Sequence, residues 1–265
     1  MSMGLYKVLV VSEDNLMRQG SDLVYFMHID KNAGTTMRHI LSMNYPAEAF
    51  LDTLPLGRMG IDGRAKTVDG LDEDVYQIIA EVQNRQQVLA CVAANLPFGL
   101  DKFLDRPVAY FTFLREPISR CISYWYFAFQ TRHRAPLWSV LESYDFDLYR
   151  IFRDHAAYQF SNDQVRMVSG SSVPDPGETE LRLACEIIKE RFFLAGAIEY
   201  FDPCLRVLAR QFGWHDTSYI KQNVGIKIDP SLLPARAEKC FREANEWDIR
   251  LYEWLVNDYL PQKLT

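Results

Sequence analysis

The chain has 265 residues, 48% hydrophobic and 24% charged, a composition that can bury a large core and excludes an intrinsically disordered chain. A formal net charge of -6 and a pI near 5.4 exclude a general nucleic-acid binder, while leaving room for a local basic pocket around a small anion. Five cysteines, Cys91, Cys121, Cys185, Cys204 and Cys240, form no C-x-x-C pair, so neither a zinc site nor a disulfide framework is expected and a reducing, cytoplasmic setting fits best.

In chain order, residues 5–11 are apolar enough for a strand. They are too short, and too soon followed by charge, for a signal sequence or a membrane span, so residues 1–21 read as an N-terminal extension or an edge strand. The next segment is the most informative. An apolar, aromatic-rich run from Leu23 passes through His28 into a small-residue turn with one lysine, Lys31-Asn32-Ala33-Gly34-Thr35-Thr36, and then into helical apolar spacing. This reads as strand, phosphate-binding turn and helix. Gly34 would let the backbone approach a ligand, the unpaired amides opening the helix carry positive partial charge, and Lys31 adds a full charge. The lysine precedes the glycine, so the turn is not a Walker A loop.

Residues 46–70 are rich in Gly, Pro and Asp and read as a long loop. Residues 74–85 read as a helix, 88–94 as a short buried strand and 107–114 as a further strand. That strand ends in Arg115, where a metal-dependent nucleotide hydrolase would carry an Asp for Mg²⁺. An arginine repels a metal and can grip a phosphate with two donors, and Ser123, two helical turns on, can reach the same group. Two anion sites on neighbouring strands suggest a nucleotide phosphorylated at two places. Farther on, Leu181, Ala184, Cys185, Ile188 and Phe192 keep helical spacing before a strand at 193–197. Leu205, Leu208, Ala209 and Phe212 mark another helix, and the residues from Ala237 to Leu255 read as one long C-terminal helix. Strands alternating with helices predict an α/β fold with a central parallel sheet flanked by helices.

These residues carry a resemblance. His28-Ile29-Asp30-Lys31-Asn32-Ala33-Gly34-Thr35-Thr36 resembles the H-I-P-K-T-G-G-T-S/T motif of the sulfotransferase family, most of all its carbohydrate branch with the heparan sulfate 2-O-sulfotransferases and bacterial relatives. The segment from Arg115 to Tyr124 resembles that family's R-D-P-x-x-R-x-x-S-x-Y motif, with Glu116 for the Asp. Asn95-Leu96-Pro97-Phe98-Gly99-Leu100 is similar to its G-H-x-P-F-G-L segment, and Asn245 to Tyr252 to a late helix with N-x-x-D-x-x-L-Y.

The resemblance implies a P-loop-like three-layer domain over residues 22–260 that binds 3'-phosphoadenosine 5'-phosphosulfate and moves its sulfuryl group to a hydroxyl of a carbohydrate or small-molecule acceptor, without a metal. By the same analogy Lys31, Asn32, Ala33, Gly34, Thr35 and Thr36 cradle the 5'-phosphosulfate, Arg115 and Ser123 hold the 3'-phosphate, and Lys31 neutralises the bridging oxygen. In-line sulfuryl transfer needs fixed donors and a cation more than covalent participation, so the chemistry agrees. Asn95 stands where the 2-O-sulfotransferases carry a basic His. An amide takes no proton at neutral pH but can orient a hydroxyl; His28 and Asp101 are the candidate substitutes as base. Two other readings stay open: a nucleotide-binding homologue impaired in transfer, and a kinase using ATP and Mg²⁺. Arg120 and Asp248 read as structural, the first anchoring its helix through a carboxylate and the second making a buried hydrogen bond. Arg132, His133 and Arg134 read as a solvated basic face, and Lys221 and Asn223 as part of a segment that can close over the nucleotide.

Overall fold

A computed structural model describes residues 22–53, 73–131, 137–220 and 233–265. The readings for residues 5–11, for Arg132, His133 and Arg134, and for Lys221 and Asn223 lie outside them. Five strands form one sheet: β1 (Leu23–Met27), β2 (Phe50–Asp52), β3 (Cys91–Ala94), β4 (Val108–Leu114) and β5 (Phe192–Ala197). Their order is β2-β3-β1-β4-β5 and every neighbouring pair is parallel. β1 is central, with Phe26 in register with Ala93 on one side and Phe111 on the other. All five of its residues are buried, as a strand covered on both faces requires, which is why its sequence is a continuous apolar run and not an alternation.

Helices flank this sheet, giving the expected α/β, P-loop-like architecture. Helix α1 (Gly34–Asn44) leaves the C-terminal end of β1, and α2 (Glu73–Arg85) buries Val75, Ile78, Ile79 and Val82 at helical spacing. Helix α3 (Pro117–Thr131) follows β4. Two short helices, α4 (Trp138–Ser143) and α5 (Leu148–Arg153), lead to α6 (Asp163–Ser169), and α7 (Glu178–Arg191) runs directly into β5. Helix α8 (Phe201–Phe212) leaves β5, and α9 (Ala235–Ala244), α10 (Glu246–Trp254) and α11 (Leu260–Lys263) close the chain, a π-helical stretch (Leu255–Tyr259) joining the last two. None of the described helices is long and apolar enough to cross a membrane.

Three readings need correction. Residues 50–52, assigned to a long loop, form edge strand β2, which three residues could not announce by periodicity. Phe192 opens β5 and does not end α7. The single C-terminal helix is broken at Asn245, whose backbone leaves the helical region at φ -125 and ψ 24. Its side chain holds the break, with Nδ2 donating to the Phe160 carbonyl at 2.8 Å and Oδ1 accepting from the Asn162 amide at 3.3 Å.

The break positions α6. Asn162, at φ 47, accepts with its side-chain oxygen from the amides of Trp247 and Asp248 at the start of α10 (3.0 and 3.1 Å). In return Asp248 accepts from the amides of Gln164 (3.1 Å) and Val165 (2.8 Å) at the start of α6. Each helix thus caps the other, satisfying donors that a helix start otherwise leaves unpaired. Asp248 is fully buried, and burial raises its pKa. Beneath α6, Arg120 is also fully buried, donating to Asp163 at 2.9 Å and to the Gln159 carbonyl at 2.5 Å. Arg120 and Asp248 therefore take the structural roles expected of them.

Candidate active site

In a parallel sheet the strands present their C-terminal ends on one edge, and ligands enter the crevice where the connections diverge. Here that point lies between β1, whose chain continues toward β2, and β4, whose chain continues toward β5. The first motif leaves β1 at this edge and the second leaves β4.

The turn after β1 is shaped by its backbone. Lys31 (φ 70) and Ala33 (φ 60) both occupy the left-handed region, which non-glycine residues seldom adopt, with Asn32 between them. Alternation of this kind curls successive N–H groups into an anion-binding concavity. Ala33 is also the N-cap of α1. No side chain among the described residues caps this end, and the first intrahelical donor here is Met37, to the Ala33 carbonyl at 3.0 Å. The amides of Gly34, Thr35 and Thr36 therefore open the helix as donors, with the Thr35 side chain exposed and that of Thr36 half-buried beside them.

Gly34 serves a purpose beyond the one its sequence suggests. A Cβ there would lie 1.8 Å from Nε2 of His28, so the glycine makes room for the imidazole. His28 is 7% exposed, its Nδ1 has no partner among the described residues, and burial pushes its pKa down to about 3, with Arg38 and Lys31 adding to the effect. The ring is neutral and a weak proton acceptor at neutral pH. Asn32 differs from expectation too. Its side chain is fully buried and turns away from the concavity, with Nδ2 donating to the Phe113 carbonyl and to Oε1 of Gln164, both at 2.9 Å.

Gln164 is the residue that sequence reasoning missed. Its Oε1 accepts from the Arg115 amide at 2.9 Å as well as from Asn32, and its Nε2 donates to the Arg115 carbonyl at 2.9 Å. One buried amide thus clasps both motifs. Arg115 tightens the junction by donating from Nη1 to the Lys31 carbonyl at 3.2 Å. The Glu116 carboxylate does not pair with Arg115. It caps α3 instead, accepting from the amides of Ile118 (3.0 Å) and Ser119 (2.8 Å). Burial lowers the pKa of the Arg115 guanidinium, against the opposing charge of Glu199, which itself accepts from the Tyr252 hydroxyl. Burial likewise lowers the Lys31 ammonium, with Asp30 opposing. Ser123, half-buried, lies on α3 one turn before Phe127, whose ring centroid is 4.0 Å from Lys31 Nζ.

Asn95 follows β3 as His28 follows β1, and the His28 amide bonds to the Ala94 carbonyl at 2.9 Å, so the two residues leave adjacent strands side by side. Asn95 is 8% exposed and its Oδ1, like His28 Nδ1, is a buried polar atom without a partner among the described residues. Asp101 is engaged elsewhere: it accepts from the Tyr110 hydroxyl at 2.6 Å and pairs with Arg191, which removes it as a substitute base. No group of His, Cys, Asp and Glu among the described residues is arranged to hold a metal ion.

The arrangement is a lysine-bearing, amide-lined turn joined to a second cation, with three buried polar atoms that lack a partner among the described residues: His28 Nδ1, Asn32 Oδ1 and Asn95 Oδ1. The sulfotransferase family matches residues 14–166, more than half of the chain and both motifs. No curated protein matches it. With that match over the crevice just described, the chain belongs to the sulfotransferase family.

Proposed function

We propose that this sulfotransferase takes its sulfuryl group from 3'-phosphoadenosine 5'-phosphosulfate and passes it to a hydroxyl of a carbohydrate or a small molecule. The observation that carries the reading is the Arg115–Lys31 junction: two cationic segments on adjacent strands, locked by Gln164 and linked at 3.2 Å, match a nucleotide with phosphates at two positions. The residues suit the donor. The amides of Gly34, Thr35 and Thr36 and the hydroxyls of Thr35 and Thr36 would hold the 5'-phosphosulfate, and Arg115 with Ser123 the 3'-phosphate. When bound, the donor supplies an activated sulfuryl group. Lys31 then sets positive charge where the phosphate leaving group gains negative charge. Asn32 and Ala33 act through the shape of the turn, and Asn32 does so from inside the protein.

On the acceptor side, Asn95 Oδ1 can accept a hydrogen bond from the hydroxyl to be sulfated and so orient it. His28, neutral and weakly basic, supports the turn through its contact with Gly34 and is not assigned as the base. A carbohydrate acceptor is favoured by the motif resemblance; the aromatic side chains of α3, where Phe129 is 51% exposed and stacks with Trp125, suit sugar rings and a flat phenolic acceptor equally.

Thermal unfolding with 3',5'-adenosine bisphosphate, and separately with ATP and Mg²⁺, tests the donor. At about a hundred times its dissociation constant the bisphosphate should add roughly 2.7 kcal/mol of stability. Stabilisation by ATP and Mg²⁺ alone would overturn the proposal in favour of a kinase. Incubation with the donor and two probes, a glucosamine-containing oligosaccharide and 4-nitrophenol, tests transfer, with Lys31→Ala as the control. Binding without transfer to either would indicate the impaired homologue that Asn95 makes the second reading.

A further inference from the structure

We infer that Phe127 is the positioning residue for Lys31, holding its ammonium by the face of the ring above the anion-binding turn. The inference rests on the donor reading proposed above, because it assigns a purpose to the cation of that site. Lys31 Nζ stands 4.0 Å from the ring centroid, well inside the range in which a cation is drawn to an aromatic face. Among the described residues no carboxylate makes an ion pair with this ammonium; Asp30, its neighbour in sequence, acts on it only from farther off. A carboxylate there would cancel the charge and repel an incoming anion. A ring attracts the cation through its quadrupole while carrying no net charge, so the field offered to a phosphate survives.

The fold supplies the ring for this position. Phe127 lies on α3 four residues after Ser123, on the same face of the helix and therefore facing the same crevice. It is 36% exposed, and among the described residues its one ring contact is a T-shaped approach to Tyr124 at 6.4 Å, which leaves a face for Lys31. A lysine side chain loses more rotamer freedom on ordering than most, and one held in advance surrenders less when the ligand arrives.

Calorimetric titration with 3',5'-adenosine bisphosphate tests this on the wild type, Phe127→Leu, Phe127→Tyr, Lys31→Ala and the double variant Lys31→Ala with Phe127→Leu. Phe127→Leu should weaken binding about tenfold and Phe127→Tyr less than about threefold, since tyrosine keeps the aromatic face. In the Lys31→Ala background Phe127→Leu should change nothing further. Equal binding by wild type and Phe127→Leu would overturn the inference, as would the same loss with and without Lys31, because the ring would then act on the ligand or the fold. The thermal midpoint of each unligated variant separates a folding defect from a binding one, and Phe127→Tyr keeps the test informative where leucine fails to fold. No binding by the wild type would be a failure of the donor reading itself.

Discussion

At the scale of single residues, the pairing of His28 with Gly34 is the tightest constraint in the site. A methyl group on Gly34 would overlap the imidazole at 1.8 Å from Nε2, and the ring, buried behind the turn, has little room to retreat. Gly34→Ala should therefore cost about 2–3 kcal/mol, as overpacking does, and His28→Ala combined with it should recover part of the loss in denaturant unfolding. His28 also predicts a pH dependence. Its folded pKa of about 3 lies below the ordinary histidine value of 6.5, so the unfolded chain binds a proton that the folded one refuses, and stability falls as pH drops below about 6.5. Between pH 7.5 and 5.5 the loss should be about 1.4 kcal/mol, and His28→Gln should remove that part of the slope. The sequence displayed the glycine and the histidine of this pair but not their contact, because residues six apart across a turn have no fixed spatial relation until the turn has its shape. It placed Asn32 in the phosphate-binding turn but did not show that its side chain is buried and makes two 2.9 Å hydrogen bonds to Phe113 and Gln164.

At the scale of elements, α6 decides whether the two motifs stay in register. Its Gln164 bonds to both motifs, while Asn162 and Asp248 lock α6 and α10 end to end. Gln164→Leu keeps the bulk but leaves both Arg115 backbone groups without this partner and Asn32 Nδ2 with only the Phe113 carbonyl, so it should destabilise the protein by about 2–3 kcal/mol in urea unfolding. It should also weaken nucleotide binding, since Arg115 loses its tether. Asp163→Ala should cost more, about 3–5 kcal/mol, because it strands the buried Arg120 charge. Of this, only the structural roles of Arg120 and Asp248 were legible in advance; α6 itself was not. Every residue of α6 is buried, polar ones included, so no periodicity marks it, and it is only seven residues long. The Asn245–Asp248 segment could be read only as a late helix, and its service to α6 depends on contacts across more than eighty residues of sequence.

At the scale of the whole molecule, an acidic chain brings a lysine-bearing turn, a helix start and Arg115 together at the crevice between β1 and β4. That much could be foreseen, since a buried parallel strand has an unbroken apolar run and the strand-to-turn-to-helix pattern fixes which sheet edge carries the ligand. The second core, which packs α3 to α5 against α9 around Tyr124, Phe152, Phe160 and Phe241, could not be foreseen, because its helices are short and their apolar residues come from distant parts of the chain. The central claim is that Arg115 reads a 3'-phosphate while Lys31 and its turn read the 5' end. Its most direct test is calorimetric titration of wild type, Arg115→Ala and Lys31→Ala with 3',5'-adenosine bisphosphate and with adenosine 5'-monophosphate. The wild type should prefer the bisphosphate by about 10- to 100-fold, the worth of a charge-assisted pair of hydrogen bonds. Arg115→Ala should abolish most of that preference, and Lys31→Ala should weaken both nucleotides alike. A preference that survives intact in Arg115→Ala would contradict the account.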